Sequence, residues 1–337
     1  MSLSDLEAES LPPAAEVPGG PGGKAIQGRS PWRLAWDRLR KDKAAMVSLV
    51  FLVLLILVAL LAPLLVKWIG WTPELGDRTN GITVDGLPVS PSIWHLLGTD
   101  RLGRDVLVRT IYGARVSLVV GLTATLLATV VGVVVGTAAG FYGGAVDTVL
   151  ARTMDVTLSF PYLLLAVALV AVFGASTALT IIVIAFFSWA AIGRIVRGQV
   201  LAIKEREFVE AARSLGASGG RIMFVDMIPN LIAPVTVLAS LTIPAAIVFE
   251  STLSYLGAGT DPRTPSWGNM LSDATEVYQV APWTLFAPAG ALILTTLAFN
   301  ILGDAVRDAL DPRSERLFAA QKAQKKSKKK SKKKSRK

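Results

Sequence analysis

Long apolar runs alternate along the chain with short charged connectors, and the runs have the length of a bilayer crossing. They cover residues 44–66, 116–139, 148–173, 178–195, 231–256 and 283–302. At a helical rise of 1.5 Å per residue, each spans a hydrocarbon core of about 30 Å. In lipid, backbone polar groups must be satisfied within the segment, so every run is expected to be a helix. The predicted fold class is therefore all-α, a polytopic membrane protein with six transmembrane helices. A soluble bundle with six such runs is disfavoured.

Two features modify this picture. Gly132, Gly136 and Gly140 recur every fourth residue in the second run, on one helix face. That pattern lets a neighbouring helix approach closely and predicts a packed interface. Pro161 falls inside the third run and predicts a kink.

The charged connectors predict orientation, because Lys and Arg concentrate on the cytoplasmic side. Residues 29–43 hold six basic residues against two acids, and residues 194–221 again hold six basic residues. Residues 257–282 hold only Arg263 against three acids. Both termini are thus expected in the cytoplasm. The connector 67–115 runs against the trend with Lys67, Arg78, Arg101, Arg104, Arg109 and Arg115, offset by Glu74, Asp77, Asp85, Asp100 and Asp105.

Composition agrees, with 52% hydrophobic and 18% charged residues. The net charge of +10 is not a nucleic-acid signal. Ten Lys and one Arg lie in 322–337 with no acid, so the rest of the chain carries −1. That tail can adhere to anionic lipid or stay solvated. Residues 1–28 have no apolar run and read as a disordered tail rather than a secretory signal. There is no cysteine, hence no disulfide or thiol chemistry. The single histidine, His95, reads as structural, and no metal site or catalytic residue is expected. No phosphate-binding loop is present. The nearest stretch, Gly19 to Ala25, lacks the spacing and the hydroxyl residue after Lys24. ATP chemistry, if used, must lie on another subunit.

The most informative connector is 198–230. Phe208, Ala211, Ala212 and Leu215 fall at i, i+3, i+4 and i+7 and form an apolar stripe, with charges on the other faces. Gly216 stands where a helix would end in a left-handed cap. Ser218 is placed to cap a second short helix that stops before Pro229. Two short helices at a glycine elbow suit docking into a soluble partner. An amphipathic connector resting on lipid headgroups fits the same pattern.

Within this connector, Glu210-Ala211-Ala212, Gly216 after three residues, and Ile228-Pro229 resemble the EAA loop of binding-protein-dependent ABC importers. Asp226 departs from the family's Ile. Further blocks resemble the oligopeptide, dipeptide and nickel permeases: Trp94 to Asp100, Leu102-Gly103-Arg104-Asp105, Phe249-Glu250-Ser251, Leu253 to Gly257, Pro265 to Gly268, Asn300 to Asp304 and Arg307 to Pro312. The basic Trp-containing segment with Trp32 and Trp36 is similar to that of the "C" partner of the pair. Together these cover about residues 31–313.

The resemblance implies the type I ABC importer permease fold in a bacterial inner membrane, with a core permease domain at 111–313 preceded at 29–110 by a basic segment, the first transmembrane helix and an external loop. It implies a heterodimer with a homologous permease, two ABC ATPase subunits that bind ATP and Mg, and an external binding protein. This chain would bind no cofactor. Glu210, Ala211, Ala212, Gly216, Ile228 and Pro229 would form the coupling contact, and transport would proceed by alternating access. Peptide is the expected cargo, with nickel and glutathione as alternatives. A secondary transporter remains the rival of a different class. A charge inside the membrane usually faces a cavity or the bundle interior. Glu250, with Ser251, Thr252 and Ser254, is accordingly a candidate for the path or its gate, or else for an interhelical hydrogen-bond network.

Overall fold

The computed structural model describes residues 31–77 and 79–310. The expected N-terminal tail and the lysine tail lie outside the described residues. The described chain is helical: α1 (Pro31–Leu39), α2 (Lys43–Ile69), α3 (Val106–Tyr142), α4 (Gly144–Ser159), α5 (Tyr162–Phe173), α6 (Thr177–Lys204), α7 (Glu207–Ser214), α8 (Gly219–Arg221), α9 (Ile228–Tyr255), α10 (Trp267–Ala274) and α11 (Trp283–Leu310). Five helical segments are long and apolar enough to cross a membrane, and α4 with α5 makes a sixth crossing if counted as one span.

Helix starts are set by short polar side chains that satisfy the orphan amides of the first turn. Asp42 accepts from the amides of Ala44 and Ala45 at α2, and Asp105 from Val108 at α3. Ser176 and Ser266 do the same at α6 and α10. The α3 helix begins ten residues before the apolar run, at Val106, and extends to Tyr142. Its first turns carry Arg109, which is 1% exposed because its charge is met inside the protein. Apolarity alone therefore placed this start too late.

The third expected span is not one kinked helix. It breaks between Ser159 and Tyr162, and α4 and α5 diverge by 80°. Pro161 has no amide to donate, and Phe160 before it is held extended at φ −75°, ψ 137°. The elbow also differs from expectation. The helix that Ser218 caps is three residues long, and through a π-helical turn at Ile222–Met227 it runs on into α9. Pro229 therefore does not end a helix. It lies in the first turn of α9, directly after the π-helical turn.

The centre of the molecule is the α3–α6 pair, and the three glycines expected to form an interface lie along it. A Cβ on Gly132 would sit 2.8 Å from the Trp189 carbonyl oxygen, and one on Gly140 2.7 Å from Val200. Gly136 faces the backbone of Gly193. Only glycine lets the two backbones approach this closely. The α9 helix packs on α3 and α11, and α2 packs outside on α3 and α11. The long helices run between two ends. The elbow end gathers α1, α7 and the close of α11, where Arg38 donates to the Ala309 carbonyl at 3.1 Å. The loop end gathers residues 70–105, the 257–266 turn and α10.

Candidate coupling elbow and transport face

The elbow is built on the ends of α3, α4, α6 and α9 that meet at one end of the molecule. Val209 of α7 is fully buried in a cluster with Val200, Ile203, Ile222, Met227 and Leu231, with Ala212 and Ala217 packed against it. The Lys204 ammonium donates to the Phe141 carbonyl at 2.9 Å, which ties the end of α6 to the end of α3. Arg197 forms a two-pronged ion pair with Asp147 of α4, one prong at 2.7 Å. The α7 helix closes in a Schellman cap: the Ala217 amide donates to the Ala212 carbonyl and the Gly216 amide to that of Arg213. Gly216 supplies the required φ of +77°.

The apolar stripe divides differently from expectation. Val209, outside the stripe, is the inward anchor, while Phe208 is 40% exposed and Leu215 88% exposed. Glu210 and Ala211 are also exposed, Ala212 is half-buried, and nothing lies within 4 Å of where a Gly216 Cβ would stand. Ile228 is half-buried and Pro229 exposed at the foot of α9. Two faces thus result, one locked to the helical body and one apolar face left open beside a carboxylate.

Toward the other end, α5, α9 and α11 enclose a groove of about 470 Å³. Tyr162, Phe249 and Pro244 line it, with Thr252, Thr296 and Asn300 as its polar groups. The rings of Tyr162 and Phe249 lie 4.8 Å apart. Of the four candidate pathway residues, Thr252 is on this groove. Glu250, Ser251 and Ser254 are at 0%, 3% and 1% exposure, turned toward α3. Ser117 and Ser254 each donate to the Glu250 carboxyl at 2.8 Å. Ser254 also accepts from the Thr260 amide, and Asn269 bridges Thr260 to the Asp261 and Thr264 carbonyls. Glu250 is thus the root of a polar network running from α3 through α9 into the loop end, rather than part of an open wall in this conformation.

Known proteins match this arrangement. A family described as the inner membrane component of binding-protein-dependent transport systems matches residues 132–316. A second, the N-terminal transmembrane domain of oligopeptide transport permease C, matches residues 30–73. The oligopeptide transport system permease protein OppC of Escherichia coli K12 is 42% identical over 313 residues, 93% of this chain and 99% of its own. The chain belongs to this permease family. The dipeptide transport system permease protein DppC of Alkalihalophilus pseudofirmus is 41% identical over 84% of this chain and 90% of its own. The glutathione transport system permease protein GsiD of Escherichia coli O6:K15:H31 is 41% identical over 86% of this chain and 93% of its own. An inward-facing structure of the MetNI methionine ABC transporter matches with TM-score 0.51 and 17% identity, over 61% of this chain and 96% of that one, which speaks to the fold alone. The protein is a multi-pass ABC importer permease, a membrane subunit rather than an enzyme, and its family leaves ATP hydrolysis to a separate subunit.

The permease also holds sites that sequence reasoning missed. Asp100 accepts from the guanidinium of Arg104 at 2.7 Å and is paired with Arg109, and Asp273 of α10 accepts from the same two arginines at 2.8 and 3.2 Å. Arg101 pairs with Glu276. This joins the 70–105 loop to α10 and neutralises three of the basic residues that spoiled the charge pattern. The pairs to Asp273 and Glu276 span 164 to 175 residues, so no local signal marks them. His95 is buried, its ring 4.8 Å from that of Trp71 and tilted to it by 35°, with Nδ1 2.8 Å from the Asp105 carboxylate. Arg152 and Asp155, three residues apart on α4, are paired at 3.6 Å, and Asp155 is shared with Arg194 at 2.5 Å.

Proposed function

We propose that this chain is one half of a heterodimeric permease that imports peptides across the bacterial inner membrane. Both termini and the elbow lie in the cytoplasm, and an external binding protein delivers cargo to the loop end. Two ABC ATPase subunits carry ATP and Mg, and this chain holds neither. The elbow seats in a groove on one ATPase subunit. Because Val209, Lys204 and Arg197 join it to α3, α4, α6 and α9, ATPase motion is transmitted to the helices around the Tyr162–Asn300 groove as a rigid-body movement. The observation that carries this reading is the split of the elbow: a fully buried Val209 beneath and a largely exposed Leu215 above. Peptide cargo is supported by the names of the relatives, the cytoplasmic elbow by the basic residues of 194–221.

The test is affinity purification of the tagged chain from native membranes, beside a Gly216→Asp variant, with identification of subunits and an ATPase assay. Wild type is expected to bring down an ATPase and a second permease. The variant is expected to lose the ATPase or its coupling. An ATPase that co-purifies and hydrolyses ATP indifferently to Gly216 would remove the elbow from the coupling contact. Uptake of labelled di- and oligopeptides, against nickel and glutathione, assigns the cargo.

A further inference from the structure

The loop end carries an apolar surface that no contact among the described residues covers. At 27 residues, α2 is about 40 Å long, some 10 Å more than a hydrocarbon core. That excess is enough for its last turn, Lys67, Trp68 and Ile69, to reach the level of the headgroups. Trp68 is 92% exposed there. The chain then folds back so that Ile93, Trp94 and Leu96 stand beside it, at 87%, 73% and 64% exposure. Ile69, Trp71, Ile93, Trp94, Leu96 and Leu107 line one recess of about 340 Å³. The arrangement is held from behind: the Trp71 indole donates to the Trp94 carbonyl at 3.3 Å, and His95, whose ring lies against that of Trp71, is bonded to Asp105 at the start of α3.

We propose that Trp68, Ile93, Trp94 and Leu96 insert into the headgroup–acyl boundary of the leaflet at the loop end and anchor the 70–105 segment to the lipid surface. Three observations select lipid as the occupant. The patch continues the exposed flank of α2, where Leu57, Leu60, Leu61 and Leu64 face outward along a membrane-spanning helix. It is rich in tryptophan, whose amphipathic ring prefers this depth. Lys67 stands in the same turn, with a long stem able to lay its ammonium among phosphates. By contrast, the tip of the segment at Val84, fully exposed, has the neighbours Asp85 and Gly86 and belongs in water. Anchored in this way, the loop holds the Asp105 cap of α3 at a set depth while other helices move.

The absence of cysteine from the natural chain makes a clean test available. Ile93→Cys and Val84→Cys are each labelled with a nitroxide in the full chain, purified with its partner subunits into nanodiscs of phosphatidylethanolamine and phosphatidylglycerol. Collision with oxygen, which partitions into lipid, is compared with collision with a water-soluble nickel chelate. Oxygen is expected to dominate at position 93 and the chelate at position 84, a reversal of the ratio between the two sites. A label at 93 that meets the chelate as readily as the one at 84 overturns the proposal. So does a label shielded from both reagents, which would place a protein partner on the patch. Leu96→Cys gives the same readout with the same two overturning results if Ile93→Cys does not assemble.

Discussion

Across the elbow, the Ala217 amide donates to the Ala212 carbonyl at 3.0 Å, and only the left-handed turn at Gly216 between them allows it. A side chain at Gly216 would meet open space, so a substitution is penalised by backbone strain alone, about 1–2 kcal/mol for an ordinary residue and less for Asn. Gly216→Ala is expected to reach the membrane in normal amount yet lower cargo-stimulated ATPase activity of the reconstituted complex. Gly216→Asn is expected to fall between Ala and wild type. Equal stimulation in all three would refute a coupling role for the turn.

The apolar runs made most of the architecture legible in the sequence, and Gly132, Gly136 and Gly140 marked the α3–α6 contact. Where the reading failed, the deciding interaction was not local. Pro161 foretold a disturbance, but the size of the bend depends on where α5 packs, and the apolar residues on both sides of it look alike. The stripe at Phe208 and Leu215 was visible, but periodicity does not say whether an apolar face meets its own chain or another molecule. Val209, one residue off the stripe, turned out to be the anchor. The Asp100–Arg104–Arg109–Asp273 cluster joins distant segments and left no pattern to find.

The two sides of the elbow should respond differently to truncation. Leu215 touches almost nothing in the chain, so Leu215→Ala is expected to leave the melting temperature of the purified permease unchanged while reducing recovery of the ATPase subunit. Val209→Ala opens a small cavity in the cluster with Ile203 and Met227 and is expected to cost about 1–2 kcal/mol, by analogy with other large-to-small core changes. Scanning calorimetry beside quantitative co-purification separates the two effects. A destabilised Leu215→Ala would place that side chain in a contact the chain makes with itself.

Glu250 gathers the hydroxyls of Ser117 and Ser254 on a carboxyl with no exposure. Glu250→Gln keeps one acceptor oxygen and is expected to retain most transport. Glu250→Leu strands both hydroxyls, at about 1–3 kcal/mol for each buried group left unpaired. Its expected result is lower thermal stability and a loosened 257–266 turn, read as faster amide exchange at Thr260. If Glu250→Gln abolishes transport while stability holds, the carboxyl acts on the path itself and not through the network.

Acid should loosen the 70–105 segment through Asp77. The amides of Asn80 and Thr79 donate to its carboxylate at 3.0 and 2.9 Å and, with His95 nearby, hold it below the ordinary carboxylate value in spite of its burial. Because the folded value is the lower one, the stabilisation is complete above the unfolded value of 3.8 and is lost as the pH falls below it through the folded value. A nitroxide at Val84→Cys, on the same loop, reports the order of the segment. Its mobility is expected to stay constant from pH 6 to about pH 4 and to rise below that. In an Asp77→Ala background the label is expected to be mobile throughout, with no acid step of its own. An acid step of full size surviving in Asp77→Ala would overturn the assignment of the transition to Asp77.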